Sequence, residues 1–278
     1  TSFDNRMVSS AVSHFGNPNT VAVTGPMRVR NAKSTLVTRL QNLEYMLTMQ
    51  VGKLGFTQLS AINNVPGAFG VFRKSFIQKI GGWNTGTAED LDMTLRIKQY
   101  HVRYPELKFV FEPNAVSHTD VPESLFDFLK QRLRWDGDTW YIYSNKHKSG
   151  ITASVMGWKN FIFLLWYGVL FQVIMPFSIV IYTFYMAVMI PTHIFLLSMV
   201  LVYVFYFLLV SLQYVLYLIL LSDRKLEDCQ AFWVLPVYPG FQFIGRVWSA
   251  VAILNQMFNK GHLDSAMAPL WVLKKGKQ

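Results

Sequence analysis

Two short motifs about forty residues apart carry the side chains best suited to chemistry. The first is Ala88-Glu89-Asp90 and the second is Gln131-Arg132-Leu133-Arg134-Trp135. A carboxylate can take a proton from a hydroxyl, and a guanidinium can bind a phosphate through two charge-assisted hydrogen bonds. An indole offers a flat apolar face on which the C–H side of a sugar ring can stack. Together these groups would suit the transfer of a sugar from a nucleotide to a hydroxyl.

The first motif also fits the start of a helix. With Thr87 as N-cap, Asp90 would be the third helical residue, which is a variant of the capping box. Acidic residues are also favourable at the positive end of a helix. Both interpretations can hold, because a cap can fix the backbone while the Asp90 carboxylate points into a cleft and acts as a general base.

The second motif lies in a segment with helical spacing, predicted as a helix from Glu123 to about Tyr143. Leucines recur every four residues on one face, with Phe126 beside them. Gln131, Arg134 and Trp135 share a roughly opposite face, and Arg132 falls outside that group. The alternative is an amphipathic interfacial helix whose Trp and Arg anchor it to lipid headgroups.

Charge is distributed unevenly along the 278 residues. Residues 1–150 hold 18 of the 26 Lys and Arg and 12 of the 16 Asp and Glu, whereas Phe161–Leu221 carries none of these four types. We therefore predict an aqueous domain followed by a membrane domain. The net charge of +10 is scattered and accompanies no nucleic-acid motif, so we expect basic residues facing anionic lipid and no nucleic-acid partner. The single cysteine, Cys229, excludes an internal disulfide.

The uncharged tract is long enough for two membrane spans, at about 160–190 and 193–221. Pro191 suits the turn between them, and Pro176 is a possible kink in the first. Lysines and arginines flank the outer ends of the pair, and the connector has none. The positive-inside rule therefore places residues 1–150 in the cytoplasm. For about 241–258 we favour an interfacial or re-entrant helix, with a third span as the alternative.

Alternating strand and helix signals predict an α/β domain in the first half. We expect strands at 21–25 and 108–111, helices at 35–50, 75–80 and 89–100, and a glycine-containing loop at 64–70.

The combination resembles the processive family 2 glycosyltransferases, the membrane synthases of cellulose, chitin, hyaluronan and poly-N-acetylglucosamine. Glu89-Asp90 is similar to the family's base motif, and Gln131 to Trp135 matches its Gln-x-x-Arg-Trp motif. The lead-in Thr119–Leu125, the loop Asn64–Gly70 and the following apolar tract add to the likeness, which covers essentially the whole chain.

The resemblance implies a GT-A-like α/β domain and a role for each matching residue. Asp90 would be the base, with Glu89 supporting the helix start or donor contacts. Gln131 and Arg134 would meet the diphosphate and sugar, with Arg132 as a further substrate contact. Trp135 would stack on the acceptor. The acceptor-side loop would comprise Gly67, Ala68, Phe69 and Gly70.

The family also binds Mg or Mn through an Asp-x-Asp motif. Asp90-Leu91-Asp92 lies inside the base motif and Asp136-Gly137-Asp138 comes too late in the chain, so neither fits that role. Thr1 looks like the residue that follows the motif. We therefore expect the metal ligands just upstream of Thr1, and this chain to be the C-terminal, inactive portion of the enzyme.

Three regions are expected: residues 1–120 as the end of the catalytic domain, 121–150 as the interfacial helix, and 151–278 as the membrane domain. The resemblance implies a multi-pass plasma-membrane enzyme that uses a UDP-sugar to extend and export a β-linked polysaccharide, with accessory secretion subunits as further partners. The alternatives are a non-catalytic scaffold or polymer-binding subunit and a non-processive, lipid-directed glycosyltransferase. A transporter would need polar or charged residues within the spans.

Overall fold

The computed structural model describes residues 1–59, 61–84 and 88–261. In these ranges, short strands form two three-stranded sheets, with orders β1-β6-β3 and β4-β2-β5. The strands are β1 (Ser2–Phe3), β2 (Thr20–Thr24), β3 (Met27–Val29), β4 (Val71–Phe72), β5 (Lys108–Phe111) and β6 (Ser117–Thr119).

The centre of the second sheet is β2, in which every residue is buried. It pairs in parallel with β5 and antiparallel with β4. Val21 packs with Ile77, Met93 and Ile97 of the neighbouring helices. Both strands expected from the sequence are confirmed, since short apolar runs that end in glycine or proline favour buried strands.

The helices follow the chain in groups separated by these strands. Three stretches are π-helical: Tyr45–Gly52, Ile142–Lys146 and Leu164–Ile174. The α-helices are α1 (Met7–Ser13), α2 (Leu36–Glu44), α3 (Lys53–Gln58), α4 (Lys74–Lys79), α5 (Glu89–Gln99), α6 (Leu125–Tyr141), α7 (Ala153–Met156), α8 (Trp158–Phe163), α9 (Met175–Met189), α10 (Thr192–Leu220), α11 (Lys225–Asp228) and α12 (Tyr238–Asn259). The predicted mixed α/β content is confirmed.

The helix predicted at 35–50 begins as expected but runs further. Thr35 caps it, with its hydroxyl accepting from the Thr38 backbone N–H at 3.2 Å. The helix then continues through the π-helical turn into α3. Glycines at 52 and 55 argue against helix locally, but Leu43 and Met46 are buried in a cluster with Tyr214 of α10. Tertiary packing thus extends the helix beyond the predicted end.

Helix α5 has the predicted extent but not the predicted cap. Its N-cap is Ala88, which adopts a left-handed conformation with φ of 45° and makes no side-chain cap. The predicted N-cap, Thr87, lies outside the described residues. Because the cap is one residue later than expected, Asp90 is the second helical residue, and its side chain is available for other bonds.

Helices α6 and α12 lie against each other. Ser124 caps α6 by accepting from the Asp127 N–H at 3.1 Å, and the indole N–H of Trp248 on α12 donates to the Leu129 carbonyl at 2.6 Å. The helix predicted at about 241–258 is therefore present but begins earlier, at Tyr238. Pro239 is tolerated there because the first turn of a helix needs no backbone donor.

Two long apolar helical stretches follow the α/β part, Trp158–Met189 and Thr192–Leu220. Their bounds agree with the two predicted spans within about two residues. Each is long and apolar enough to cross a membrane, and only 17% and 6% of their most apolar windows are buried within the protein. Pro176 sits at the start of α9, where the π-helical stretch ends.

The segment after α10 returns to the first sheet. The Asp228 carboxylate accepts from the Tyr217 hydroxyl at 2.8 Å and from the Ser222 hydroxyl at 2.7 Å. It also pairs with Arg28 of β3 at 3.5 Å. This buried cluster ties the end of the second apolar helix to the α/β part.

Candidate active site

A cavity of about 650 Å³ lies between the α/β part and the apolar helices. Its walls come from α2 and the turns after it, the 63–68 loop, the start of α5, α6, the first apolar helix and α12. Both motifs singled out in the sequence face this space. The predicted site residues that line it are Gly67, Ala68, Glu89, Asp90, Gln131, Arg132, Arg134 and Trp135.

Asp90 is held in place by neutral donors. Its Oδ2 atom accepts from the Asn64 side-chain amide at 3.1 Å and from the Gly67 backbone N–H at 3.0 Å. Thr94, one turn later, receives the Val65 N–H at 3.0 Å and donates to the Asp90 carbonyl at 2.8 Å. The 64–67 loop is therefore fixed on the start of α5. Within the described ranges no cation pairs with Asp90.

Gly67 makes this close approach possible. A Cβ atom at this position would lie 2.9 Å from Glu89 Oε1 and 3.6 Å from Asp90 Cβ, so a larger residue would displace the Glu89 carboxylate. Ala68 also faces the cavity. The other two loop residues do not: Phe69 is buried in a hydrophobic cluster, and Gly70 packs against Val65 and Phe72.

Gln131, Arg134 and Trp135 meet at the cavity as their helical spacing predicted. Arg134 is partly buried and makes no hydrogen bond or ion pair to any described residue. The Gln131 Oε1 atom is buried without a hydrogen-bond partner in the same part of the structure. A free cation suits an anionic group and an unmet acceptor suits a hydroxyl donor, so this wall fits a ligand that carries both.

Arg132 also reaches the cavity, although the helical wheel set it apart from the other three. Its guanidinium pairs with Glu44 of α2 at 2.7 Å and lies 4.8 Å from the Trp135 ring centre and 5.0 Å from that of Phe128. Burial opposes its charge, but Glu44 together with Asp136, Tyr45 and Tyr238 outweighs it and raises the Arg132 pKa. The pair therefore braces the indole from behind.

Asp136 and Asp138 complete the α6 wall. The Asp136 carboxylate accepts from the Ser249 hydroxyl of α12 at 2.6 Å, and burial raises its pKa. The Asp136-Gly137-Asp138 sequence thus faces α12. Gly137 lies close to the Ala252 carbonyl, with a Cβ distance of 3.5 Å.

Lys53 is a charged cavity residue that was not predicted. Its side chain is only 6% exposed, and its amine makes no hydrogen bond or ion pair within the described ranges. Burial lowers its pKa to about 7, although attraction to Asp90 opposes the shift. The sequence held a signal, because Lys53 is the only charged residue between Glu44 and Arg73.

Asp92 belongs to a different environment from Asp90. It is fully buried and pairs with Arg96 at 3.0 Å, Lys146 at 2.9 Å and His147 at 2.8 Å. Burial opposes its charge, but hydrogen bonds from His147 and Lys146 and the nearby Arg96 lower its pKa. Asp90-Leu91-Asp92 therefore does not present two carboxylates to one ligand.

The described residues offer no group of three or more His, Cys, Asp or Glu side chains able to hold a metal ion. The described residues therefore show no complete protein ligand set for the divalent metal that the resemblance implies. The expectation that its ligands lie upstream of Thr1 stays a prediction.

The side of the cavity nearest the apolar helices is aromatic and polar. The first apolar helix contributes Trp166, Tyr167 and Gln172 to it. Helix α12 adds Gln242, Arg246 and Ser249, and Arg246 donates to the Phe171 carbonyl at 3.1 Å. Sequence reasoning did not assign Arg246 to the site, although it is the only charged residue between Asp228 and Lys260.

Comparison with known proteins adds to this geometry. The chain is 34% identical over 122 residues to the poly-beta-1,6-N-acetyl-D-glucosamine synthase of Staphylococcus epidermidis, which is 43% of this chain and 28% of that protein. The enzyme of the same name from Staphylococcus aureus matches to the same extent. The probable glycosyltransferase YdaM of Bacillus subtilis is 34% identical over 124 residues, covering 44% of this chain and 28% of YdaM.

These matches cover about 28% of the length of each relative. A family model described as glycosyl transferase family group 2 matches residues 1–221, which include both motifs and the two apolar helices. The predicted family is thereby confirmed: this chain belongs to the family 2 glycosyltransferases and is similar to those of the poly-beta-1,6-N-acetylglucosamine synthase kind.

Proposed function

We propose that this chain forms the acceptor side of an inverting, membrane-bound glycosyltransferase that adds sugars from a UDP-sugar to a growing β-linked polysaccharide. One observation carries the proposal. The Asp90 carboxylate, free of any cationic partner among the described residues, faces the same cavity as Arg134 and Trp135. A base, a cation and a stacking surface thus border one space large enough for sugars.

The reaction assigns one role to each group. The acceptor hydroxyl gives its proton to an Asp90 oxygen while its own oxygen forms a bond to the anomeric carbon of the donor sugar. The bond from that carbon to the diphosphate breaks, and the electron pair leaves with the phosphate oxygen. Arg134 stabilises the charge on the departing diphosphate. A single displacement of this kind inverts the anomeric configuration.

Gln131 and Trp135 position the substrates in this proposal. The unpaired Gln131 Oε1 accepts from a sugar hydroxyl, which removes the cost of a buried acceptor without a partner. The Trp135 ring, braced by Arg132, stacks on the terminal acceptor sugar. Glu89 lies against Gly67 and supports the start of α5. Ala68 and Gly67 supply the loop wall beside the acceptor.

A divalent cation, when bound, would neutralise the donor diphosphate. The described residues provide no ligand set for it, so every role above is assigned to this chain's own side chains. The donor-binding and metal-binding part belongs, in this proposal, to residues outside the chain.

The apolar helices in this proposal cross the plasma membrane, with the α/β part in the cytoplasm. Lys159 precedes the first helix, and Arg224 and Lys225 follow the second, in keeping with the positive-inside rule. Trp166 and Gln172 extend the cavity towards these helices. The growing polymer would leave along this wall, with accessory subunits as further partners for export.

The test uses the full-length protein in membrane vesicles with a panel of labelled UDP-sugars. We expect one donor, UDP-N-acetylglucosamine in first place, to give alkali-stable labelled polymer. The name of the staphylococcal relatives supports this choice of donor. A protein that incorporates no label from any UDP-sugar would instead be the non-catalytic scaffold.

Product length separates a polymer synthase from a non-processive enzyme. Trp135→Ala should shorten the labelled product and lower the yield about tenfold. Stacking of one ring on an aromatic side chain contributes roughly 1–3 kcal/mol. Phe126→Ala is the matched control, because Phe126 is an exposed aromatic on the same helix and does not line the cavity. A single-sugar product from the unaltered enzyme would contradict processive synthesis.

A further inference from the structure

Lys53 is the cavity residue whose environment calls for a ligand. It begins α3, directly after the π-helical turn Tyr45–Gly52, and π-helical segments occur frequently at functional sites. Its side chain is 94% buried, the complement of its 6% exposure. Burying a cation without a partner is costly, and a polar ligand in the cavity that Lys53 lines would lower that cost.

The nearest charge of opposite sign is the base. Asp90 attracts the Lys53 amine electrostatically, yet the two are farther apart than the 4.0 Å of an ion pair. Asp90 instead takes its hydrogen bonds from Asn64 and Gly67. Both groups line the same cavity, so a ligand in it can approach both.

A ligand oxygen that makes hydrogen bonds of about 2.8 Å to each group would bridge a gap of up to roughly 5.6 Å. A hydroxyl is the common sugar group whose single oxygen can donate to a carboxylate and accept from an ammonium at the same time. A carboxylate or phosphate ligand would be repelled by Asp90.

We propose that Lys53 is a catalytic residue that holds the acceptor hydroxyl between its ammonium group and the Asp90 carboxylate. The hydroxyl oxygen accepts a hydrogen bond from Lys53 and donates its own hydrogen to Asp90. As the proton moves to Asp90 and the oxygen bonds to the anomeric carbon, Lys53 stabilises the negative charge that develops on that oxygen. This role rests on the proposed function of Asp90 as base.

The location of Lys53 supports the acceptor over the donor. Phe56, one turn along α3, packs edge-on against Tyr167 of the first apolar helix at 5.0 Å between ring centres. Lys53 therefore lies on the side of the cavity nearest the apolar helices. Arg134, the cation assigned to the diphosphate, lines the cavity from a different helix, α6.

The experiment compares Lys53→Met, Lys53→Arg and Asp90→Asn in the full-length enzyme in membranes. We expect Lys53→Met to lower sugar transfer about 10²–10³-fold, because one charged hydrogen bond to the developing oxyanion is lost. Inhibition by free UDP, which reports the donor side, should be unchanged. Lys53→Arg should restore part of the rate by keeping the charge.

Lys98→Met is the matched control. Lys98 is also a buried lysine, at 3% exposure, and burial lowers its pKa to about 8, but it does not line the cavity. We expect its substitution to leave transfer unchanged. Equal losses of sugar transfer in Lys53→Met and Lys98→Met would overturn the proposal. It would also be overturned if Lys53→Met elutes as an aggregate in detergent and Lys53→Arg has no activity.

The remaining outcomes separate the two ideas. If Lys53→Met keeps full transfer while Asp90→Asn has none, the proposed role of Lys53 is wrong and Asp90 remains the base. Full transfer by Asp90→Asn would overturn the proposed function itself. A weakening of UDP inhibition in Lys53→Met as large as the loss of transfer would assign Lys53 to the donor and contradict an acceptor contact.

Discussion

The two sides of α5 carry aspartates two residues apart with opposite environments. Asp90 faces the cavity and is held by the Asn64 amide and the Gly67 N–H. Asp92, about 200° around the helix, is fully buried and surrounded by Arg96, Lys146 and His147. The same side chain thus occurs once with neutral donors only and once with three potential cations.

The difference shows that one helix, α5, carries a carboxylate available for catalysis on one side and a structural carboxylate on the other. The cations around Asp92 come from its own helix and from the π-helical turn after α6, so Asp92 connects the base helix to the helix that carries Arg134 and Trp135. Asp90 is left without a cation and can accept a proton. We infer that Asp92 fixes the distance between the two motifs, while Asp90 acts on the ligand between them.

The sharpest test of this comparison is Asp90→Asn. Removing a general base should lower transfer by about 10²–10⁴-fold, with thermal stability in detergent and UDP inhibition close to those of the unaltered enzyme. Asp127→Asn provides the control, since it removes one carboxylate charge at the exposed start of α6. If Asp90→Asn lost as much stability as Asp92→Ala, the two sides of α5 would not differ in the way described.

Asp92→Ala should have the opposite signature. Breaking a buried ion pair by removing one partner costs about 3–5 kcal/mol, so the thermal transition should fall by several degrees. Transfer per folded molecule should change far less than in Asp90→Asn. Glu106→Ala, at an exposed position, is the control for losing an acid. If the Asp92→Ala enzyme keeps its normal thermal transition but transfers no sugar, Asp92 takes part in catalysis and is not a structural residue.

Glu44→Gln probes a carboxylate that combines both properties, since it lines the cavity and pairs with buried Arg132. Gln keeps one hydrogen bond but removes the charge, which should cost about 1–3 kcal/mol of stability. Product length should also fall modestly, because Arg132 braces Trp135. Glu44→Asp would show whether a negative charge at this position is enough to maintain stability and product length. An unchanged product with lowered stability would make the pair purely structural.

Local patterns predicted much of this molecule. The strand at 108–111 and the helix at 89–100 follow from apolar periodicity, and both are confirmed within a residue. The face shared by Gln131, Arg134 and Trp135 follows from the pitch of a helix. The two apolar helices follow from the absence of charge alone.

What the sequence did not reveal depends on contacts between distant segments. Lys53, Glu44 and Arg246 reach the cavity only because α2, α3 and α12 pack beside α6, and no local pattern encodes that packing. Phe69 was expected beside the acceptor but is buried in the core, since a loop motif does not indicate which of its side chains turns inwards. The one local signal for Lys53 and Arg246 is that each is a lone charge within an apolar stretch of the sequence.

Helix α12 has a consequence for how the protein can be divided. The family match ends at residue 221, yet Gln242, Arg246 and Ser249 lie beyond it and form part of the cavity wall. Asp136 takes its hydrogen bond from Ser249, and Arg28 takes a charged partner from Asp228. A chain cut at the family boundary would lose one wall of the cavity and leave buried charges without partners. The unit that folds is therefore larger than the unit that sequence families share.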